Sequence, residues 1–229
     1  CLFEIGNVYR STEAAGQVMT ATGLRSGNAA PRHWSGPARE TDVFDAKADA
    51  LAVLEAAGVN VNNLVVSTDA PEWYHPGRSG AFRLGPTVLA YFGEIHPAVL
   101  VAMKREEKFA GFEVFLQSLP VPKKKGTARE LLRPSPFQPV NRDFAFTVDA
   151  NVEADKLVRT IKGVDKNLIA NVTVFDVYMG KGVEPGKKSI ALGVTLQPVE
   201  RTLTDEEIVA ISNKIIDAAA KQTGAVLRS

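Results

Sequence analysis

The chain has 229 residues, 45% of them hydrophobic and 23% charged, with a formal net charge of +1. Such a composition supports a buried core and excludes a polycation, so any nucleic-acid contact must come from a local patch. The single Cys1 excludes an internal disulfide framework and a Cys-rich metal site, and a reducing cytoplasm fits it. No stretch approaches the length of a membrane-crossing apolar helix, and no basic-then-apolar leader opens the chain. The opening "CLFEIGNVY" lacks Met and reads as strand, which points to a piece of a longer polypeptide.

The first strand is predicted over Leu2 to Tyr9, where Glu4 and Arg10 can pair, and a Gly-, Pro- and Arg-containing loop follows around Arg25 to Arg39. "TDVFDAKADALAVLEAAG" reads as a helix. Thr41 or Asp42 can cap it, Phe44, Ala48, Leu51 and Leu54 share a face, and Gly58 stops it. That face is expected to exceed what the short strands can cover, which makes this half dependent on an interface. "WYHPGRSG" is expected to form a turn, with His75 and Arg78 held by side-chain hydrogen bonds. The catalytic alternative, His75 as general base and Arg78 as anion clamp, lacks a partner acid, cysteine or serine at a telling spacing. His33, His75 and His96 have no metal-ligand spacing, and neither phosphate-cradling glycine motif is present. "AFRLG" and "TVLAYFGEI" form a hairpin about Gly85-Pro86, Pro97 starts a short helix to about Lys104, and "FEVFLQ" is a further strand.

Residues 120–139 carry Pro120, Pro122, Pro134, Pro136 and Pro139 beside the run Lys123 to Lys125, and read as a linker between 1–119 and 140–229. In the last segment "RDFAFTVD" alternates as a half-buried strand. "EADKLVRTIKGV" places Ala154, Leu157, Val158 and Ile161 on one helical face. "LIANVTVFDVY" and "KSIALGVTLQ" are strands. "TLTDEEIVAISNKIIDAAAKQTG" is a helix with a Thr204–Glu207 capping box and Ile208, Ile211, Ile215 and Ala219 inward. "AVLR" closes the segment. The order βαββαβ gives an α+β fold: a mixed antiparallel half followed by a ferredoxin-like domain with helices on one sheet face and the other face open.

On "FDVYMGKGVEPGKKS", period two puts Asp176 and Tyr178 on one face and Phe175 and Val177 on the other. With the helices covering Phe175 and Val177, the acid and the phenol lie on the open face, and the hairpin returns Ser189 beside them. A ring stacks on any base, a carboxylate accepts from guanine N–H groups, and a hydroxyl meets its carbonyl. The plainer alternative is an exposed hairpin with a packing tyrosine.

These residues, "FDVYMGKGVEPGKKSIALGVTLQPVERTLTDEEI" preceded by "NRDFAFTVD", closely resemble the ferredoxin-fold anticodon-binding domain of the bacterial phenylalanine–tRNA ligase beta-subunit family. "LFEIGNVY", "DVFDAKADALAVLEAAG", "HPGRS" and "GEIHPAVL" resemble the same family in the same order, so nearly the whole chain is covered. The resemblance implies that 1–119 is the latter part of a class II synthetase-like fold without its catalytic motifs. It implies an assembly of two alpha and two beta subunits, in which alpha binds ATP, Mg²⁺ and phenylalanine, and no cofactor or metal in this segment. The beta subunit's editing and N-terminal tRNA-binding domains lie outside it. It implies tRNA(Phe) as partner, read by Asp176, Tyr178 and Ser189, with Lys187, Lys188 and Arg142 as the neighbouring cations. Asn141 stands where the family commonly has a basic residue. The runner-up is a regulatory ferredoxin-like module that binds a small molecule on its open face.

Overall fold

A computed structural model describes residues 1–121 and 134–228. Pro122 and the Lys123–Lys125 run of the expected linker lie outside the described residues. The chain divides into two compact units, residues 1–127 and 128–229.

The first unit is an antiparallel sheet with one principal helix. Its strands are β1 (Leu2–Tyr9), β2 (Gln17–Ser26), β3 (Val65–Ser67), β4 (Tyr74–Leu84), β5 (Thr87–Ile95) and β6 (Phe109–Phe115), in the order β1-β2-β6-β5-β4-β3. Helix α1 (Val43–Ala56) lies across the middle strands, and α2 (Pro97–Ala102) follows β5. Large rings stand on the sheet under α1: Phe82, Phe92 and Phe112 are all buried. Glycine makes room for two of them. A Cβ on Gly80 would lie 2.8 Å from Phe92, and one on Gly23 would press into Phe112. With rings filling that layer, the helix approaches closely on Ala46 and Ala50, and Leu54, an inward position expected from the sequence, is buried near its C-terminal end. Arg25 of β2 fastens α1 from below, reaching Asp49 at 2.5 and 2.7 Å.

This corrects the helical face expected from sequence: Phe44 and Ala48 are exposed, and Leu51 is half-buried. The apolar excess expected on α1 sits instead on β1, an edge strand exposing Leu2, Phe3, Ile5 and Tyr9. β2 and β3 escaped the sequence reading. "QVMTATGLRS" mixes small and polar residues because its inner positions face glycine-spaced rings rather than needing bulk of their own. "YHPGRSG" is strand rather than turn, although its register with β5 breaks between Tyr74 and Ser79. Arg10 lies over the Phe115 ring at 4.7 Å instead of being committed to Glu4.

The second unit contains β7 (Val140–Asp149), α3 (Ala154–Lys162), β8 (Ile169–Tyr178), β9 (Lys187–Leu196), α4 (Asp205–Thr223) and β10 (Val226–Leu227). The sheet order is β10-β7-β9-β8, with β9 central and antiparallel to both neighbours. Along β9, Ile190, Leu192, Val194 and Leu196 are buried in one core with Phe144, Phe146, Leu157, Ile161, Ile211 and Ile215. α4 begins at the Thr204–Glu207 capping box and ends at Gly224, whose φ of 67° is left-handed.

Two predictions follow from the first unit. Gly23→Ala should lower its stability by about 1–3 kcal/mol, because a methyl there overpacks against Phe112. A denaturant midpoint equal to wild type would contradict this. The second concerns acid. The Arg39 guanidinium and the Asp42 amide hold Asp45 down to about 2. A carboxyl depressed on folding stabilises above its unfolded value near 4 and loses that stabilisation as pH falls toward 2. Arg39→Ala should therefore reduce stability at pH 7 and flatten its fall between about pH 4 and 2, as read from urea midpoints across that range.

Candidate anticodon-binding face

The alternation of β9 decides which residues meet the open face. Its inner residues are apolar, so Ser189, Ala191, Gly193 and Thr195 point away from the helices. Antiparallel partners share a face, which adds Asn141, Asp143, Ala145 and Thr147 from β7. From β8 it adds Asn171, Thr173, Asp176 and Tyr178. The Thr195 hydroxyl donates to Asn141 Oδ1 at 2.9 Å, so that asparagine belongs to the face. Ala145, Ala191 and Gly193 give the middle of the sheet a low floor.

Tyr178 stands opposite Ser189, and Ser189 lies between Tyr178 and Thr147. That central place leaves Ser189 5% exposed, a hydroxyl at the bottom of the platform. Tyr178 is 41% exposed at its edge. The hairpin tip folds back against the ring: Tyr178 Oη donates to the Lys181 carbonyl at 3.3 Å. Two backbone turns close this loop, Val183 N to Gly180 O and Lys187 N to Glu184 O, each 3.0 Å. Gly182 and Gly186 take left-handed φ values of 91° and 81° in it.

Phe175 departs from the expected alternation. The β8–β9 register shifts between Val174 and Asp176, so Val174 opposes Leu192 while Asp176 opposes Ala191, with Phe175 as the extra residue. Its ring is 60% exposed and lies on the open side, Cδ1 3.9 Å from where a Gly193 Cβ would stand. The helices therefore do not cover Phe175, and Val177, opposite Ile190, is also exposed.

The cations are arranged differently from the expectation too. Lys187 opposes Asp149 and its Nζ is 2.6 Å from Glu184 Oε2. That pairing raises the lysine's affinity for its proton and lowers the glutamate's. Lys188 opposes Val148, and Arg142 opposes Val194, both partners being buried on the helical side. Lys188 and Arg142 therefore leave from the face opposite Tyr178. A cation absent from the sequence reading replaces them: the Arg228 guanidinium lies beside the hairpin tip, Nη2 3.6 Å from a Cβ position on Gly182. Its only sequence signal was the alternation Val226-Leu227-Arg228 in a strand too short to establish a period. A cleft of about 460 Å³ lies elsewhere, between α3 and α4, lined by Lys156, Arg159, Thr160 and Gln222.

The histidines of the first unit accept from backbone amides two residues on. Nδ1 of His75 accepts from Gly77 N at 3.1 Å, that of His96 from Ala98 N at 3.0 Å, and that of His33 from Ser35 N at 3.2 Å. Arg78 pairs with Glu94 at 2.6 Å.

Known proteins agree with both units. Residues 1–116 match the family described as phenylalanyl tRNA synthetase beta chain CLM domain, and residues 135–228 match the ferredoxin-fold anticodon binding domain. The chain belongs to the phenylalanyl-tRNA synthetase beta chain family. It is 53% identical over its whole length to the phenylalanine–tRNA ligase beta subunit of Rhodospirillum rubrum, and 50% identical over 99% of its length to that of Paramagnetospirillum magneticum. In each case it spans 29% of the relative's length. Pyrrolysyl-tRNA synthetase from Desulfitobacterium hafniense aligns with 51% of this chain and 39% of its own at 18% identity and a TM-score of 0.36, too slight a likeness to carry an argument. No helix among the described residues is long and apolar enough to cross a membrane.

The hairpin tip holds the Tyr178 ring against a glycine. A Cβ on Gly180 would lie 2.6 Å from Tyr178 Oη, so Gly180→Ala should push the phenol off the hairpin tip. Ring-proton NMR shifts of Tyr178 unchanged from wild type would contradict this.

Proposed function

We propose that this chain serves a phenylalanine–tRNA ligase, with residues 140–229 reading the anticodon of tRNA(Phe) and residues 1–119 forming a catalytically silent synthetase-like portion. The remaining segment, 120–139, is then the connection between them. The ligase is ATP-dependent and acts in the cytoplasm. Its alpha subunit holds ATP, Mg²⁺ and phenylalanine in an assembly of two alpha and two beta subunits. This chain holds no cofactor and contributes to tRNA recognition and subunit assembly. The observation that carries the reading is the meeting of Tyr178, Asp176 and Ser189 on one open sheet face above a floor of small residues.

Each group has a distinct task there. The Tyr178 ring supplies a stacking surface for an unpaired base, which any base can use. The Asp176 carboxylate, exposed opposite Ala191, accepts from the two N–H donors on the guanine edge. The Ser189 hydroxyl, low in the platform, donates to the guanine carbonyl. Arg228 at the hairpin tip supplies positive charge on the same side, where Lys187 is already paired with Glu184. A small-molecule regulatory role is less suited to this face, since such ligands favour concave, largely apolar sites.

The test is affinity for two anticodon stem-loops that differ only in guanine or adenine at the first anticodon base, with the complete beta chain in its assembly. Tyr178→Ala should cost about 1–3 kcal/mol for both RNAs. Asp176→Asn should weaken the guanine form and narrow its lead, because the amide turns a donor of its own toward a donor and leaves one unpaired. Ser189→Ala should narrow the lead as well. Equal wild-type affinity for the two RNAs, or normal binding by Tyr178→Ala, would sink the assignment.

A further inference from the structure

The cleft between α3 and α4 lies on the helical side of the second unit, away from Tyr178 and Ser189. Leu157 and Ile161 of α3 share one core with Ile215 and Ala219 of α4, so the two helices are held together. Toward their C-terminal ends the facing positions are small. Gly163, at the end of α3, and Ala218 of α4 both line a gap of about 460 Å³ that neither can fill. The polar lining of this gap is made of donors. The Lys156 ammonium has no partner among the described residues. Arg159 pairs through Nε with Asp155 Oδ2 at 2.7 Å, and no other described residue engages its outer nitrogens. Asp155 thus offsets one of the two positive charges and the other stays uncompensated. Gln222 Oε1 accepts from Thr160 Oγ1 at 3.1 Å, which leaves the amide NH₂ as the group that Gln222 can offer a ligand. No carboxylate, histidine or cysteine lines the cleft, so it is equipped to hold a ligand rather than to react with one.

We propose that this cleft is an anion site that takes the phosphate group of a phosphate ester. Lys156 and Arg159 are three residues apart on α3 and therefore share a helical face. A planar guanidinium with N–H groups to spare, set beside a compact ammonium, matches a phosphate and its several acceptor oxygens. Gln222 adds a neutral donor from the opposite wall, so donors converge from two helices. The volume is more than a bare phosphate fills and lies in the range of small-molecule sites. Val164 and Ala218 give the organic part of the ester an apolar wall. Two sources carry this chemistry, a free nucleotide and the sugar–phosphate backbone of an RNA. None of the lining residues belongs to the open sheet face, so the site is independent of base reading there.

The experiment follows amide hydrogen exchange by mass spectrometry in the complete beta chain within its assembly. Adenosine 5′-monophosphate, adenosine and intact tRNA are added in separate titrations. The monophosphate should slow exchange in peptides from the C-terminal halves of α3 and α4, and adenosine, which lacks the phosphate, should not. Lys156→Glu and Gln222→Glu should each raise the half-maximal concentration of the monophosphate there at least about tenfold. Both variants keep the fold: Lys156 is exposed, and Gln222→Glu retains the acceptor for Thr160 while losing only the amide donor. Protection of the same peptides by tRNA alone, weakened in both variants, would sustain the anion site and assign its phosphate to the RNA backbone. Adenosine acting as well as its monophosphate would refute the site. So would a wild-type response in both variants, or no protection by either source of phosphate.

Discussion

The second unit depends on the strict alternation of β9. It is the central strand, bonded on both sides, so its even and odd residues cannot exchange faces without breaking two ladders at once. Ile190, Leu192, Val194 and Leu196 bind the sheet to α3 and α4, and burying them supplies the unit's main stabilisation. Their partners Ser189, Ala191, Gly193 and Thr195 are small for the opposite reason. The helices pack on the other side of the sheet, and a planar ligand can approach only a low surface. One strand therefore sets both the core and the platform.

The pairing of β8 with β9 shifts register twice, between Ile169 and Asn171 and at Phe175, and the second shift shapes the open face. Before it, Val172 and Val174 face the core through their pairing with Val194 and Leu192. After it, Asp176 and Tyr178 take the open face with Phe175 beside them. An insertion of this kind costs a ladder bond but moves Asp176 and Tyr178 onto the open face, where a regular continuation from Val174 would have turned them toward the helices. The hairpin tip compensates at the far end. Its glycine turns bring Lys181 O to the Tyr178 phenol and Gly182 beside Arg228, so aromatic and cation share one rim.

The first unit solves a different packing problem. Phenylalanine rings carried by β4, β5 and β6 occupy the layer under α1, with glycines at positions 23 and 80 giving them space. The helix answers with alanine, and the Arg25–Asp49 pair fixes its position along β2. Here the bulk sits mainly on the sheet, unlike the second unit, where strands and helices both contribute large side chains, Leu157, Ile161, Ile211 and Ile215 coming from the helices.

The sequence alone determined whatever rests on local periodicity. The βαββαβ order, the Thr204–Glu207 cap, the inward face of α4 and the return of Ser189 toward Tyr178 were all legible, because each repeats within a few residues. The family resemblance was legible too, through motifs spread over both units. Tertiary structure decided whatever depends on a partner strand. Nothing in "TVFDVY" marks the extra residue that brings Asp176 and Tyr178 to the same side as Phe175, since a bulge is a mismatch in count between two strands. Lys188 and Arg142 looked like neighbours of the site in sequence, but their pairing with Val148 and Val194 sends them to the other side. Arg228 reaches the hairpin tip only because β10 joins β7. In the first unit, the face of α1 was misread because alanine signals little hydrophobicity by itself. It becomes the buried face, with Leu54, only when three phenylalanine rings from distant strands crowd the layer beneath it.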